Sequence, residues 1–373
     1  MSNRIRVALV MNLLPLIFSV APVRSNHQGA VPLKSIKIDK NVTYDCIDIY
    51  KQPGLDHPLL KNHTIQMKPS ISRTRLKSQI GDNKTYTKKI ECPDGTVPVL
   101  RTTKEFVKNA QLFAEKHFHP LSGGSPGTHH AVVRSFSGQF HGVEAWFNGY
   151  NLNVAQDQAS SSAIYIGSTG PNKEGNIIAA GLMTNPGLFG DGRVWKYGFW
   201  QGKDGKGCYN TACPGFVQVS SVIPIAQPFD VPPGKPVWSH RFIHQDQNTG
   251  NWWITQLGPN ENNVDIGYLP KELFNLLSVG GNVAGVGGMV QGSPSGSSPP
   301  MGNGNFPNKE SAMFSNIGVL SSNYEHRSLD FFPIEELVDS PKCYGLKIGK
   351  EKLFHRNHRG FFFNYGGPGG YSC

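Results

Sequence analysis

The chain has 373 residues, enough for one large or two modest domains with a proper core. Its 43 Gly and 27 Pro follow no short period, and 38% of residues are hydrophobic; this excludes a collagen-like repeat and a wholly disordered chain, and fits short strands joined by many turns. The formal charge of +10 points to nucleic acid only until it is mapped: residues 1–25 carry three basic groups and no acids, residues 26–127 carry 16 basic and 9 acidic, and residues 128–373 carry 17 of each. The largest part therefore has no net field to attract phosphates, and no nucleic-acid partner is expected.

Residues 1–25 read as a cleavable export signal. Arg4 and Arg6 form a positive start, Val7 to Val20 is a nearly unbroken apolar run, and Ala21, Pro22 and Ser25 follow. The run is shorter than the roughly 20 residues that cross a bilayer, and no other stretch is long enough, so a secreted, extracellular protein without a membrane span is expected. Six cysteines behind such a signal suggest disulfides. Their grouping favours Cys46–Cys92, Cys208–Cys213 and Cys343–Cys373, each bond staying within one segment. Zinc is the rival for Cys208 and Cys213, but no second close pair completes a ligand set. Three N-x-S/T sequons, at Asn41, Asn62 and Asn83, mark exposed loops open to glycosylation.

Residues 26–101 are polar, with short strand-like pieces such as Val42–Tyr50. Residues 102–118 switch to a helical pattern: Thr102 with Glu105 matches a capping box, and Phe106, Ala110, Phe113 and Ala114 form one apolar stripe. The run Pro120-Leu-Ser-Gly-Gly-Ser-Pro-Gly127 cannot build a core and is the clearest boundary, where a processing cut would free residues from 128 onward. Beyond it the period becomes two. Ala131–Phe136, Ala163–Gly167, Val194–Trp200, Phe216–Ile225, Val237–His244 and Trp252–Leu257 are predicted strands; Lys271–Leu277 is a short predicted helix; residues 292–308 are a predicted loop. The expected fold is all-β, an antiparallel β-sandwich or barrel over 128–373, preceded by a small mixed α+β pro-segment over 26–127.

Several motifs imitate catalytic signals. Gly123-x-Ser125-x-Gly127 matches a nucleophile elbow but lies in the linker rather than between strand and helix. His240 and His244 would share a metal on a helix, but on a strand they stand roughly 13 Å apart. His117, His119, His129 and His130 have no cysteine or carboxylate companions at metal spacing, and the glycines of 280–288 never complete a dinucleotide loop. No metal or other cofactor is expected.

Longer motifs carry a resemblance. The run from Asp45 to Ser70 (DCIDIYKQPGLDHPLLKNHTIQMKPS) resembles the activation peptide of the neprosin family; Gly207–Gln218 (GCYNTACPGFVQ), Gly250–Trp253 (GNWW) and Tyr365–Gly369 (YGGPG) resemble its C-terminal domain. The match runs in order from about residue 40 to the end. The resemblance implies a secreted precursor, of a family known mainly from plants, whose C-terminal domain is a β-sandwich and whose active members are glutamic endopeptidases cutting after proline without metal or cofactor. Such chemistry needs two carboxyl groups in opposite protonation states, one to take a proton from water and one to polarise the scissile carbonyl or protonate the leaving nitrogen.

At the positions that the resemblance assigns to this pair, the chain departs from the family. The first glutamate falls at Ala179, within Asn176-Ile-Ile-Ala-Ala-Gly181; the second falls at Met289, after the paired glycines of Val286-Gly-Gly-Met-Val290; a further family acid slightly upstream falls at Gly285. A methyl and a thioether cannot carry a proton, so no catalytic residue is retained and an impaired enzyme that binds proline-containing peptides or extracellular proteins is expected. Two other readings stay open at this point. Glu174, Glu144 or Asp191 could stand in for the missing acids and preserve an acid prolyl endopeptidase, or exposed aromatics such as Trp252 and Trp253 could make the sandwich a carbohydrate binder. The sequence does not fix the oligomeric state.

Overall fold

The computed structural model describes residues 30–70, 89–116, 121, 126–171, 174–231, 235–258, 263–349 and 360–373. The export signal, Asn83, His117, His119 and the elbow-like Ser125 lie outside these residues.

Two antiparallel sheets form a β-sandwich. Sheet I runs, in spatial order, Val217–Gln218, Val264–Leu269, Trp252–Gln256, Val237–Gln245, Gly142–Gly149, Ala312–Leu320, Phe363–Gly366 and Gly345–Ile348, with His326–Ser328 added beside Ala312–Leu320. Sheet II runs Gln227–Phe229, Val194–Gln201, Gly175–Thr184, Ala159–Thr169, Val283–Gln291, Thr128–Ser135 and Glu335–Val338, with Gly207–Tyr209 added beside Val194–Gln201. Alternate residues of each strand face the partner sheet. Val143, Ala145 and Phe147 of sheet I thus meet Ile164, Ile166, Ile178, Ala180 and Leu182 of sheet II in one buried core.

The pro-segment is mixed, as expected. Lys34–Lys37, Thr43–Asp48 and Thr96–Leu100 form a small sheet, and Lys104–Lys116 is a helix. Its cap lies one residue later than the predicted Thr102 with Glu105: Thr103 Oγ1 accepts from the Phe106 N–H at 3.0 Å. The three disulfides join Cys46 to Cys92, Cys208 to Cys213 and Cys343 to Cys373.

Two segments differ from the sequence reading. Phe216–Ile225 contains only a two-residue strand, because the buried Gln218 amide donates to the carbonyls of Ser220 and Ile223 and accepts from the Ile225 N–H, curling the chain back on itself. Lys271–Leu277 holds only one 3-10 turn, Lys271–Leu273. Within the predicted 292–308 loop, Ser297–Ser298 pairs with Gly370–Tyr371. Among the described residues no helix is long and apolar enough to cross a membrane.

Candidate functional site

The outer face of sheet II is the surface on which the sequence reading placed its chemistry. In Gly175–Thr184, Ile178, Ala180 and Leu182 point into the sandwich, so Ile177, Ala179 and Met183 point outward. Those three belong to a second apolar cluster with Val132, Tyr165, Tyr197, Phe199, Tyr209 and Met289. The face is not open. The stripe of the pro-segment helix lies on it: Ala110 and Ala114 are buried in the cluster, with Phe106, Phe113 and Leu121 packed against it. Asn109 Nδ2 donates to the Gly187 carbonyl at 2.8 Å, and the Phe106 ring meets that of Phe189 at 6.3 Å.

The register decides which positions can act together. One row across the sheet reads Glu335, Arg134, Gly285, Tyr165, Ala179, Phe199 and Tyr209. Ala179 and Gly285 are thus separated by a single intervening strand, two inter-strand steps or about 10 Å. Met289 lies on a different row, with His130, Ser161, Met183 and Trp195. It is four residues further along the strand, on the order of 16 Å from Ala179 by strand geometry. Of the three positions that the resemblance assigned to acids, the fold brings together 179 and 285; Met289 stands apart from both.

Tyr165 lies between the two. A β-carbon on Gly285 would overlap its phenol and stand 2.9 Å from Arg134 Cβ. Burial pushes the Tyr165 hydroxyl far above its ordinary range, with the neighbouring Arg134 opposing, so it stays neutral and unable to serve as a base. The carboxylate on this row belongs to Glu335, at its far end, and Arg134 holds it with two hydrogen bonds of 3.0 and 3.1 Å. Nothing in the sequence marked Glu335, because its place on the row depends on which strand pairs with Thr128–Ser135.

The three proposed stand-in acids lie elsewhere. Glu144 is buried on the outer face of sheet I, 2.7 Å from His326 Nε2 and 3.7 Å from His240 Nε2. Asp191 is occupied by Arg193 at 2.7 Å and by Trp195 Nε1 at 2.9 Å. Glu174 is exposed in the turn before Gly175–Thr184. None shares the row of Ala179.

Other sequence signals also resolve. His240 stacks on Trp146 at 4.5 Å and His244 on Phe242 at 4.4 Å; they are separate packing contacts on one strand. Asp339 binds His129 Nδ1 at 2.8 Å and the His130 N–H at 2.6 Å. No group of metal-ligating side chains occurs among the described residues. Trp252 and Trp253, expected as exposed aromatics, are both 0% exposed: Trp252 sits in the main core and donates to the Leu277 carbonyl, while Trp253 packs on Tyr268 beneath Leu55 and Ile65 of the pro-segment. Asn41 and Asn62 are exposed.

Polar contacts fasten the pro-segment at several points on the sandwich. Tyr44 donates to the Ala226 carbonyl at 2.8 Å, and Gln52 exchanges two hydrogen bonds with the Gln218 backbone. Asp39 pairs with Arg193 at 2.8 Å. Asp246 accepts from the Ser70 backbone N–H, from Ser70 Oγ at 3.0 Å and from Gln66 Nε2 at 3.2 Å.

Fold and site together define a β-sandwich whose own N-terminal segment packs on the outer faces of both sheets. The chain belongs to the neprosin family: the family's domain matches residues 156–368 and the neprosin activation peptide matches residues 35–134. Among solved structures it is similar to scytalido-glutamic peptidase bound to a peptide-based transition-state analogue, at 12% identity and a TM-score of 0.35, covering 64% of this chain and 98% of that one. It is also similar to SCP-B, a member of the eqolisin family of peptidases in complex with the tripeptide Ala-Ile-His, at 12% identity, a TM-score of 0.34 and the same coverage.

Proposed function

We propose that this chain is a secreted neprosin-family protein that has lost glutamate-pair hydrolysis and binds proline-containing extracellular peptides on the outer face of sheet II once the pro-segment is displaced. The observation that carries the first half is the row through Ala179, Tyr165 and Gly285, where two strands meet across a third and neither acid position holds a carboxyl group. Removing one proton-transfer group typically costs about 10²–10⁴-fold in rate, and here both are gone. Glu335 does not replace them, since it stands at the far end of the row, beyond Arg134, which engages it in two hydrogen bonds. The second half is supported by the aromatic floor of Tyr165, Tyr197, Phe199 and Tyr209, which offers flat apolar surface to a pyrrolidine ring.

The test is incubation of the full chain, acid-treated to release the pro-segment, with proline-containing peptides between roughly pH 2 and 6, where paired carboxyls titrate. Calorimetry should detect binding, and mass spectrometry should detect no cleavage. Cleavage after proline would restore the reading of an active acid peptidase; absence of binding would remove the peptide-binding half.

A further inference from the structure

The interior of the sandwich contains two basic side chains where an apolar core would be expected. Arg241 projects inward from Val237–Gln245 of sheet I and is 1% exposed; Lys196 projects inward from Val194–Gln201 of sheet II and is also 1% exposed. Their surroundings are joined by Gln256, the register partner of Arg241, whose Oε1 accepts from Lys196 Nζ at 3.1 Å. Gln227, the register partner of Lys196, accepts from the same ammonium at 3.3 Å. The Phe229 ring lies 4.9 Å from Nζ.

Arg241 is the unexplained member. Its Nε, Nη1 and Nη2 are all buried, and none has a hydrogen-bond partner among the described residues. A guanidinium remains charged at any pH the protein meets, so it cannot escape burial by losing its proton. An isolated buried charge is strongly disfavoured. Burial, and then the neighbouring Arg241, pull the Lys196 ammonium well below its ordinary range, an escape that the guanidinium lacks. A counter-charge relieves Arg241. The planar fork of Arg241 supplies directed N–H donors.

We propose that a halide-sized inorganic anion, chloride in ordinary solution, occupies the sandwich interior against the Arg241 guanidinium on the side facing Lys196. Phe229, whose ring contacts Lys196, also lines a pocket of about 360 Å³ with Asn151, Arg193, Val194, Asp230 and Val231.

The test uses the full chain with chloride exchanged for gluconate at fixed ionic strength. A ligand bound only by the folded state raises the melting temperature with its concentration; above saturation, each tenfold rise in chloride should add roughly 3–5 °C. The variant Arg241→Met keeps the length of the side chain and removes the charge, and its melting temperature should be independent of chloride. A wild-type protein insensitive to chloride, or a variant that follows the wild type, overturns the proposal. If Arg241→Met does not fold, wild-type crystals grown in bromide decide the matter: an anomalous peak within hydrogen-bond reach of the Arg241 guanidinium supports the site, and its absence overturns it.

Discussion

Tyr165 and Gly285 are direct register partners on neighbouring strands of sheet II, and the phenol of one fills the space that a side chain on the other would need. A side chain at 285 is therefore incompatible with the present position of the aromatic ring at 165. Restoring hydrolysis requires three changes. Ala179→Glu with Gly285→Glu and Tyr165→Ser should raise proline-directed cleavage at acid pH by about 100-fold or more over the wild type, the scale of a recovered proton-transfer group. Ala179→Glu with Met289→Glu should stay at the wild-type level, because the two rows are too far apart for one water to bridge. Peptide cleavage followed by mass spectrometry distinguishes the two variants.

Docking of the pro-segment should weaken in acid. Burial alone would raise the Asp246 carboxyl, but hydrogen bonds from Ser70 and Thr249 outweigh it and hold the group below its ordinary value of 3.8. A carboxyl lowered in the folded state contributes stability above its unfolded value, and that contribution is lost as pH falls through the folded one. Asp39, paired with Arg193, is lowered as well and acts in the same direction. Hydrogen exchange of residues 63–70 should therefore show protection at neutral pH that fades below about pH 4. Asp246→Asn should lose part of that protection already at pH 7, since the amide retains one acceptor where the carboxylate had two.

The helix over sheet II is held by a short apolar stripe. Phe113 is partly buried against the cluster that contains Ala179, so Phe113→Ala should cost about 1–2 kcal/mol of local stability, less than for a fully buried ring. The loss should appear as faster exchange within 104–116, with the central strands of the sandwich unchanged. Equal loss across both would mean that helix and sandwich unfold as one unit.

The bond between Cys343 and Cys373 ties the C-terminus across a 30-residue separation. Replacing both with serine should lower unfolding stability by about 3–4 kcal/mol in the chain-entropy account. Denaturant titration under non-reducing conditions reads the difference directly.

The sequence by itself determined what local chemistry controls: the even set of cysteines, the amphipathic stripe from Phe106 to Ala114, and strand-forming segments such as Val237–Gln245. It also determined that position 179 holds no proton-carrying group, since an alanine methyl carries no acidic proton in any fold. Strands that lie at the centre of sheet II were not legible in the same way. Gly175–Thr184 and Val283–Gln291 are buried on both faces, by sheet I on one side and by the helix, Leu121 and neighbouring side chains on the other, so polar residues never alternate with apolar ones along them. Only the tertiary structure decided which positions share a row. Register is a relation between distant segments, and the hydrogen-bonded pairing of Ala159–Thr169 with both neighbours is what places Ala179 level with Gly285 and leaves Met289 apart. The burial of Trp253 and the meeting of Arg241 with Gln256 and Lys196 have the same origin, because both depend on surfaces that exist only once the sheets and the pro-segment have come together.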